Sequence, residues 1–222
     1  MSARKPLPFT LAGERLLALP ERALFWPARS ILFAADLHLG KPAVFARHGV
    51  VLPAATGHGE WQSLAAILRH HPVKTVVLLG DTLDAPGVAE SPALDGFRAW
   101  KRASAPGIRF SCVPGNHDRR AQRELEALGI EILDDSARLG PFLPRHHPVP
   151  AADAHVLCGH IHPGARLGTR LRLPCFHLRP HLTVLPAFGR LTGLAPIRPD
   201  PADRVLVVAD TEVIEIPTHQ AR

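Results

Sequence analysis

Residues 108–118 read Ile-Arg-Phe-Ser-Cys-Val-Pro-Gly-Asn-His-Asp: an apolar run, a Pro-Gly break, then an amide, an imidazole and a carboxylate. Ile108 to Val113 has the length and apolar content of a strand, and Pro114-Gly115 ends it. From Asp118 to Leu128 the pattern turns helical. Strand, polar cluster and helix in succession point to an α/β fold.

Working outward, the same arrangement recurs. Ser30 to Ala35 runs into Asp36-Leu37-His38, and Thr75 to Leu79 into Gly80-Asp81-Thr82-Leu83-Asp84. Pro141 to Arg145 runs into His146-His147, and His155 to Cys158 into Gly159-His160-Ile161-His162. On extended backbone, residues two apart point the same way, so Asp36 and His38 are placed to share one cation. Asp81, at a strand end after a glycine, can bridge two cations through its two carboxylate oxygens. Asn116 offers a neutral carbonyl suited to a hard cation. His117 is expected beside the metals as a proton donor or charge stabiliser, with Asp118 orienting its ring through the other nitrogen. Asp84 reads as a turn residue or a support behind the ligands. Adjacent side chains on a strand diverge, so only one of His146 and His147 should reach the metals; His146 is preferred and His147 stays open.

Each piece alone has a plainer reading. Asp-x-His and Gly-Asp-x-x-Asp are common at turns, Asn and Asp cap helices, and paired histidines occur on surface loops. The ordered series after separate strands asks the plain reading for a run of coincidences.

Further strands are expected at Arg15 to Leu19, Leu182 to Leu185, Arg204 to Ala209 and Glu212 to Ile216. Trp61, Leu64, Ala65 and Leu68 give helical spacing within Gly57 to His71, stopped by Pro72, and a further helix is expected at Ser91 to Ala103. The first half alternates strand and helix and the second is mostly strand, which predicts helices on a large mixed sheet system with a second sheet built partly from C-terminal strands. Pro196 to Pro201 reads as a loop, leaving one domain over residues 1–222.

The formal charge of +6 and a pI near 10.0 favour polyanionic partners, although an Ala-, Pro- and Arg-rich composition can also reflect a GC-rich genome. Cys112, Cys158 and Cys175 form an odd set without a CxxC spacing, as expected of buried, reduced thiols in the cytoplasm. No stretch is apolar enough for a signal peptide or a membrane span, and no membrane association is expected.

In combination, the motifs from Asp36 to His162 resemble those of the calcineurin-like binuclear metallophosphoesterases. The resemblance implies a four-layer αββα sandwich of two mixed sheets flanked by helices. It implies Asp36, His38, Asp81 and His162 on one metal, and Asp81, Asn116, His146 and His160 on the other. A narrower match covers Trp26-Pro27, DLHLGKPAVFARHG (36–49), GNHDRR (115–120), RLPCF (172–176) and LPAFGRLTG (185–193). These stretches look like the PdeM-type, ligase-associated DNA-damage-response phosphoesterases. That likeness implies a manganese-dependent bacterial DNA endonuclease, acting on single strands by preference and associated with a helicase, a DNA ligase and an exonuclease.

The expected reaction is phosphodiester hydrolysis. Two divalent cations, about 3.5–4 Å apart in such sites, would bind the phosphate and acidify a bridging water that attacks phosphorus in line. Lys41, Arg47, Arg119 and Arg120 lie beside the motifs and are candidates for backbone-phosphate contacts. A small-molecule or cyclic-nucleotide phosphodiesterase, and a non-catalytic scaffold of the same fold, are the alternatives.

Overall fold

A computed structural model of the chain describes residues 4–50, 59–88, 94–168 and 171–221. Seven strands follow one another in sequence across the first sheet: β1 (Leu7–Leu11), β2 (Glu14–Ala18), β3 (Leu24–Trp26), β4 (Ile31–Ala34), β5 (Thr75–Leu78), β6 (Arg109–Cys112) and β7 (Glu131–Ile132). The first four pair antiparallel; from β4 to β7 the pairing is parallel. Parallel neighbours need crossovers. The described helices here are α1 (Lys41–Arg47) and α2 (Gly59–His70) between β4 and β5, α3 (Asp95–Ser104) before β6, and α4 (Gln122–Ala127) before β7.

The second sheet comes from β8 (Phe142–Pro144), β9 (His155–Cys158), β10 (Pro163–Leu167), β11 (Leu171–Arg179), β12 (Leu182–Val184), β13 (Ala195–Pro196), β14 (Arg204–Ala209) and β15 (Glu212–Ile216). Its order is β13-β10-β11-β12-β9-β8, with β14 on β11 and β15 on β14. Strands β8, β9 and β12 run parallel, so their C-terminal ends share one edge.

Period-two alternation splits each strand between two cores. In β4 and β5, Leu32, Ala34, Val76 and Leu78 face Leu64, Ile67, Phe97, Trp100 and Leu125 of the helices. Phe33 and Val77 face the other way and meet Phe142, Leu157, Phe176 and Leu206 of the second sheet. Phe142 is the hinge of this inter-sheet layer, packed edge-on to Trp26 at 5.0 Å and to Phe33 at 6.3 Å. Each buried aromatic here contributes about 1.5–3 kcal/mol by leaving water.

The expected two mixed sheets with flanking helices are present. The outer face of the second sheet is covered lightly, with no α-helix among the described residues after Ala127. Cys175, Val205 and Val207 are buried there against Ile197 and Ala221, the latter just beyond a 3-10 turn at Thr218–Gln220. All three cysteines are buried and unpaired, and burial raises the thiol pKa of each, to about 12 for Cys175.

The expected helix from Gly57 begins, in the described chain, at Gly59; Gly57 and His58, and the Ser91 to Ala93 start of the next, lie outside the described residues. The helix expected from Asp118 is a 3-10 turn, Asp118–Arg120, followed by α4.

Candidate metal centre

The five polar motifs lie past the C-terminal ends of β4, β5, β6, β8 and β9. Their backbone is not the extended one that the two-residue spacing suggested. Asp36, His38, Asp81, His160 and His162 all have positive φ, between 46° and 71°. Such a conformation is uncommon for residues other than glycine and costs on the order of 1 kcal/mol each. Hydrogen bonds hold it in place: the N–H of Asp36 donates to Gly80 O at 3.1 Å, that of His38 to Asp81 O at 2.9 Å, and that of Leu39 to Thr82 O at 2.8 Å. Gly80 is needed twice over, for its φ of 82° and because a β-carbon there would collide with the His146 ring.

Asp36 and Asp81 are buried, 0% and 5% exposed, yet no Lys or Arg pairs with either among the described residues. Asp36 accepts the His160 N–H, and Asp81 Oδ1 accepts the His117 N–H at 3.0 Å. Around them the imidazoles are held with nitrogens facing inward. His38 Nδ1 lies 3.0 Å from Asp84 Oδ1, and His146 Nδ1 lies 3.1 Å from the Leu79 carbonyl oxygen. The Leu79 carbonyl can only accept, so it places a proton on His146 Nδ1 and turns Nε2 toward the site, the usual support behind a metal-binding histidine, whereas His38 Nδ1 faces Asp84 without a hydrogen bond of sound geometry. His146 Nε2 then stands 3.1 Å from His160 Nδ1 and 3.6 Å from Asp81 Oδ2.

Buried Nε2 atoms of His38 and His162 have no hydrogen-bond partner. An orphaned buried nitrogen calls for an explanation, and an unseen ion is one. Ligand atoms of Asp36, His38 and His162 lie within 4.8 Å of one another, as do those of His38, Asp81 and His117, of Asp36, Asp81 and His146, and of His146, His147 and His160. Asp36, His38, Asp81 and His146 each belong to two of these overlapping groups. Burial, then the neighbouring His146, lowers the pKa of His147 and of His160, favouring the neutral rings that ligation needs. Two buried carboxylates without a Lys or Arg partner, set amid imidazoles, form an oxygen and nitrogen donor set that divalent cations fit.

The sequence matches the family model described as calcineurin-like phosphoesterase over residues 29–177, well over half of the chain. The chain belongs to the calcineurin-like phosphoesterases. Among solved structures it is similar to the Pseudomonas putida nuclease MPE, with 32% identity, a TM-score of 0.84, and coverage of 96% of this chain and 100% of that one. Among curated proteins, none is significantly similar to it in sequence. Family members are metal-dependent hydrolases of phosphate esters, and this chain is a phosphoester hydrolase.

Within this calcineurin-like site, two sequence expectations need correction. Asp118 does not orient the His117 ring. Its carboxylate is fully buried and accepts the N–H groups of Thr82, Leu83 and Gly115 at 3.0–3.1 Å, tying the β5 loop to the β6 loop. The His117 ring is oriented instead by the Asp84 carbonyl oxygen, which faces Nδ1 and leaves Nε2 4.0 Å from Asp81 Oδ2. Nor do His146 and His147 diverge: they lie past β8, and their rings are 4.9 and 4.5 Å from that of His160. His146 is buried and His147 sits at the rim.

Asn116 is exposed between Gly115 and His117, whose N–H groups are both anchored. Of the basic candidates, Lys41 is turned inward, its Nζ 3.3 Å from Asp84 Oδ1, because that buried carboxylate needs a cation. Burial pushes the Asp84 carboxyl up, but His38 and Lys41 outweigh it and hold the pKa below the ordinary value. Arg47 donates to the Gly87 carbonyl at 3.4 Å, while Arg119 and Arg120 remain exposed. Sequence reasoning missed Glu60, a buried acid on α2 within electrostatic reach of His38; nothing in its flanks marks it.

Proposed function

We propose that the chain, acting as one domain over residues 1–222, is a binuclear, manganese-dependent phosphodiesterase that cuts DNA, single strands by preference. The observation that carries this reading is the pair of buried carboxylates, Asp36 and Asp81, facing the orphaned imidazole nitrogens of His38 and His162. The 32% likeness to a nuclease supports nucleic acid as the substrate, and the charge of +6 agrees. One metal is assigned to Asp36, His38, Asp81 and His162, the other to Asp81, Asn116, His146 and His160. His146 is chosen over His147 because its Nδ1 is engaged by Leu79 O, which aims Nε2 at Asp81. Bound there, the metals supply Lewis acidity toward a phosphoryl oxygen and a water made nucleophilic near neutral pH.

The chain's own residues do the rest. Asp36 and Asp81 hold the negative charge that fixes the cations. His117, with Nδ1–H engaged by Asp84 O and a side chain 44% exposed, presents Nε2 to the open side of the site. When protonated, that nitrogen gives its proton to the leaving oxygen or stabilises charge on the phosphoryl group. A role in bacterial DNA repair beside a helicase, a DNA ligase and an exonuclease, in the cytoplasm, completes the proposal and rests on the sequence resemblance.

The test is manganese-dependent nicking of single-stranded DNA by the purified protein, with a cyclic dinucleotide assayed alongside. Asp81→Ala and Asn116→Ala are expected to abolish cleavage. Undiminished nicking by either variant, or turnover of the cyclic dinucleotide alone, refutes the proposal.

A further inference from the structure

Beside the metal centre a groove of about 370 Å³ opens between α2 and the loop after β12. One wall carries Gly59, Glu60 and Ser63, the other Arg190, and Arg4 lies at its edge. The loop is pinned to the site strand, since Phe188 N–H donates to Ala35 O at 2.8 Å and Gly189 N–H to Asp36 O at 3.1 Å. At Gly189 a β-carbon would sit 2.6 Å from Leu37 O, so backbone packs directly on backbone. Arg190 is the next residue, which fixes it off the cluster but adjacent to Asp36.

The charges in the groove are unbalanced. Glu60 is buried, and burial raises its pKa against the lowering effects of its own and the Arg190 backbone and of the charges on Arg190 and His38. Glu21 is taken by Arg4 at 2.8 Å. Among the described residues no carboxylate lies within ion-pairing distance of the exposed Arg190 guanidinium. A further cation acts on the same loop: Arg22 donates to Ala187 O at 3.4 Å, and its pKa is lowered by burial and then by Arg190. Glu60 attracts Arg190 only at longer range, so a phosphate would supply the ion-pair partner that Arg190 lacks among the described residues.

We propose that Arg190 grips a non-reacting phosphate of the polynucleotide, one next to the phosphodiester held at the metals. This rests on the nuclease reading. The reacting phosphate needs the carboxylate and imidazole cluster; a charged groove one residue beyond Asp36 serves only a substrate that carries further phosphates.

The experiment compares a single-stranded oligonucleotide with bis(p-nitrophenyl) phosphate, which has no flanking phosphate, in wild type, Arg190→Gln and Arg102→Gln. Arg102 is exposed on α3, so its variant removes an equal charge elsewhere. For Arg190→Gln the ratio of kcat/KM on the oligonucleotide to that on the small diester is expected to fall about three- to tenfold, mainly through KM. The slope of log affinity for the oligonucleotide against log salt, read by fluorescence anisotropy, is expected to shrink by about 0.7. Arg102→Gln should leave the ratio near wild type. An unchanged ratio and slope in an Arg190→Gln enzyme that still cuts the oligonucleotide overturns the groove alone. Wild-type turnover of the small diester without oligonucleotide cleavage overturns the nuclease reading as well.

Discussion

His155 opens β9 at the end of the sheet opposite the metal motifs, beside a cavity of about 590 Å³. It is 8% exposed, with Nε2 2.8 Å from Thr183 Oγ1. Burial, then the charge on His181, pushes its pKa from the ordinary 6.5 down to about 4. Between those two values the unfolded chain binds a proton that the folded chain refuses, so stability falls as pH drops from 6.5 towards 4 and is flat above that window. The loss amounts to about 2–3 kcal/mol across the window. Urea unfolding at pH 7 and pH 4.5, with chelator throughout to remove any metal contribution, should show a smaller acid loss in His155→Gln than in wild type. Equal losses would show that His155 protonates freely in the folded protein.

At the scale of elements, the loops after β5 and β6 act as one unit because Asp118 accepts N–H groups from both. Removing it strands three buried donors, so Asp118→Ala should cost about 3–5 kcal/mol, measured by denaturant unfolding. His117 is half exposed, and His117→Ala should change stability by no more than about 0.5 kcal/mol while lowering kcat about 10²- to 10⁴-fold. If Asp118→Ala proves as stable as wild type, the loops are held by something else. This division was not legible in Gly115-Asn116-His117-Asp118, since sequence adjacency suggested that the carboxylate serves the imidazole. The strands β5, β9, β14 and β15 were legible because their runs are apolar and bounded by turn residues. Strand β11 was not: Arg172, Pro174, His177 and Arg179 interrupt its pattern, and only pairing with β10, β12 and β14 makes it central. Helix α1, seven residues long, is too short to show a period.

Across the whole molecule, the two sheets meet at the site. Asp36, His38, Asp81 and Asn116 follow strands of the first, whereas His146, His160 and His162 follow strands of the second. That order of motifs was readable from sequence, because each sits after its own apolar run; the light outer cover of the second sheet was not, because it depends on what packs over Cys175 and Val207. Protein bonds already cross the seam, from His160 N–H to Asp36 and from the His146 ring to Leu79 O. Cations bound by both sets would join the sheets again and stabilise only the folded state. At a free metal concentration about 100 times Kd, that linkage is worth about 2.7 kcal/mol per site. For a chain of this size each kcal/mol moves Tm by about 2–4 °C. Scanning calorimetry should therefore show manganese raising Tm of the chelator-treated protein by at least about 5 °C. Asp81→Ala, lacking the carboxylate proposed to bind both metals, should lose most of that rise while its metal-free Tm stays equal or increases, since one buried carboxylate without a Lys or Arg partner is gone. A wild-type Tm indifferent to manganese, or a rise of the same size in Asp81→Ala, would separate the cluster from metal binding.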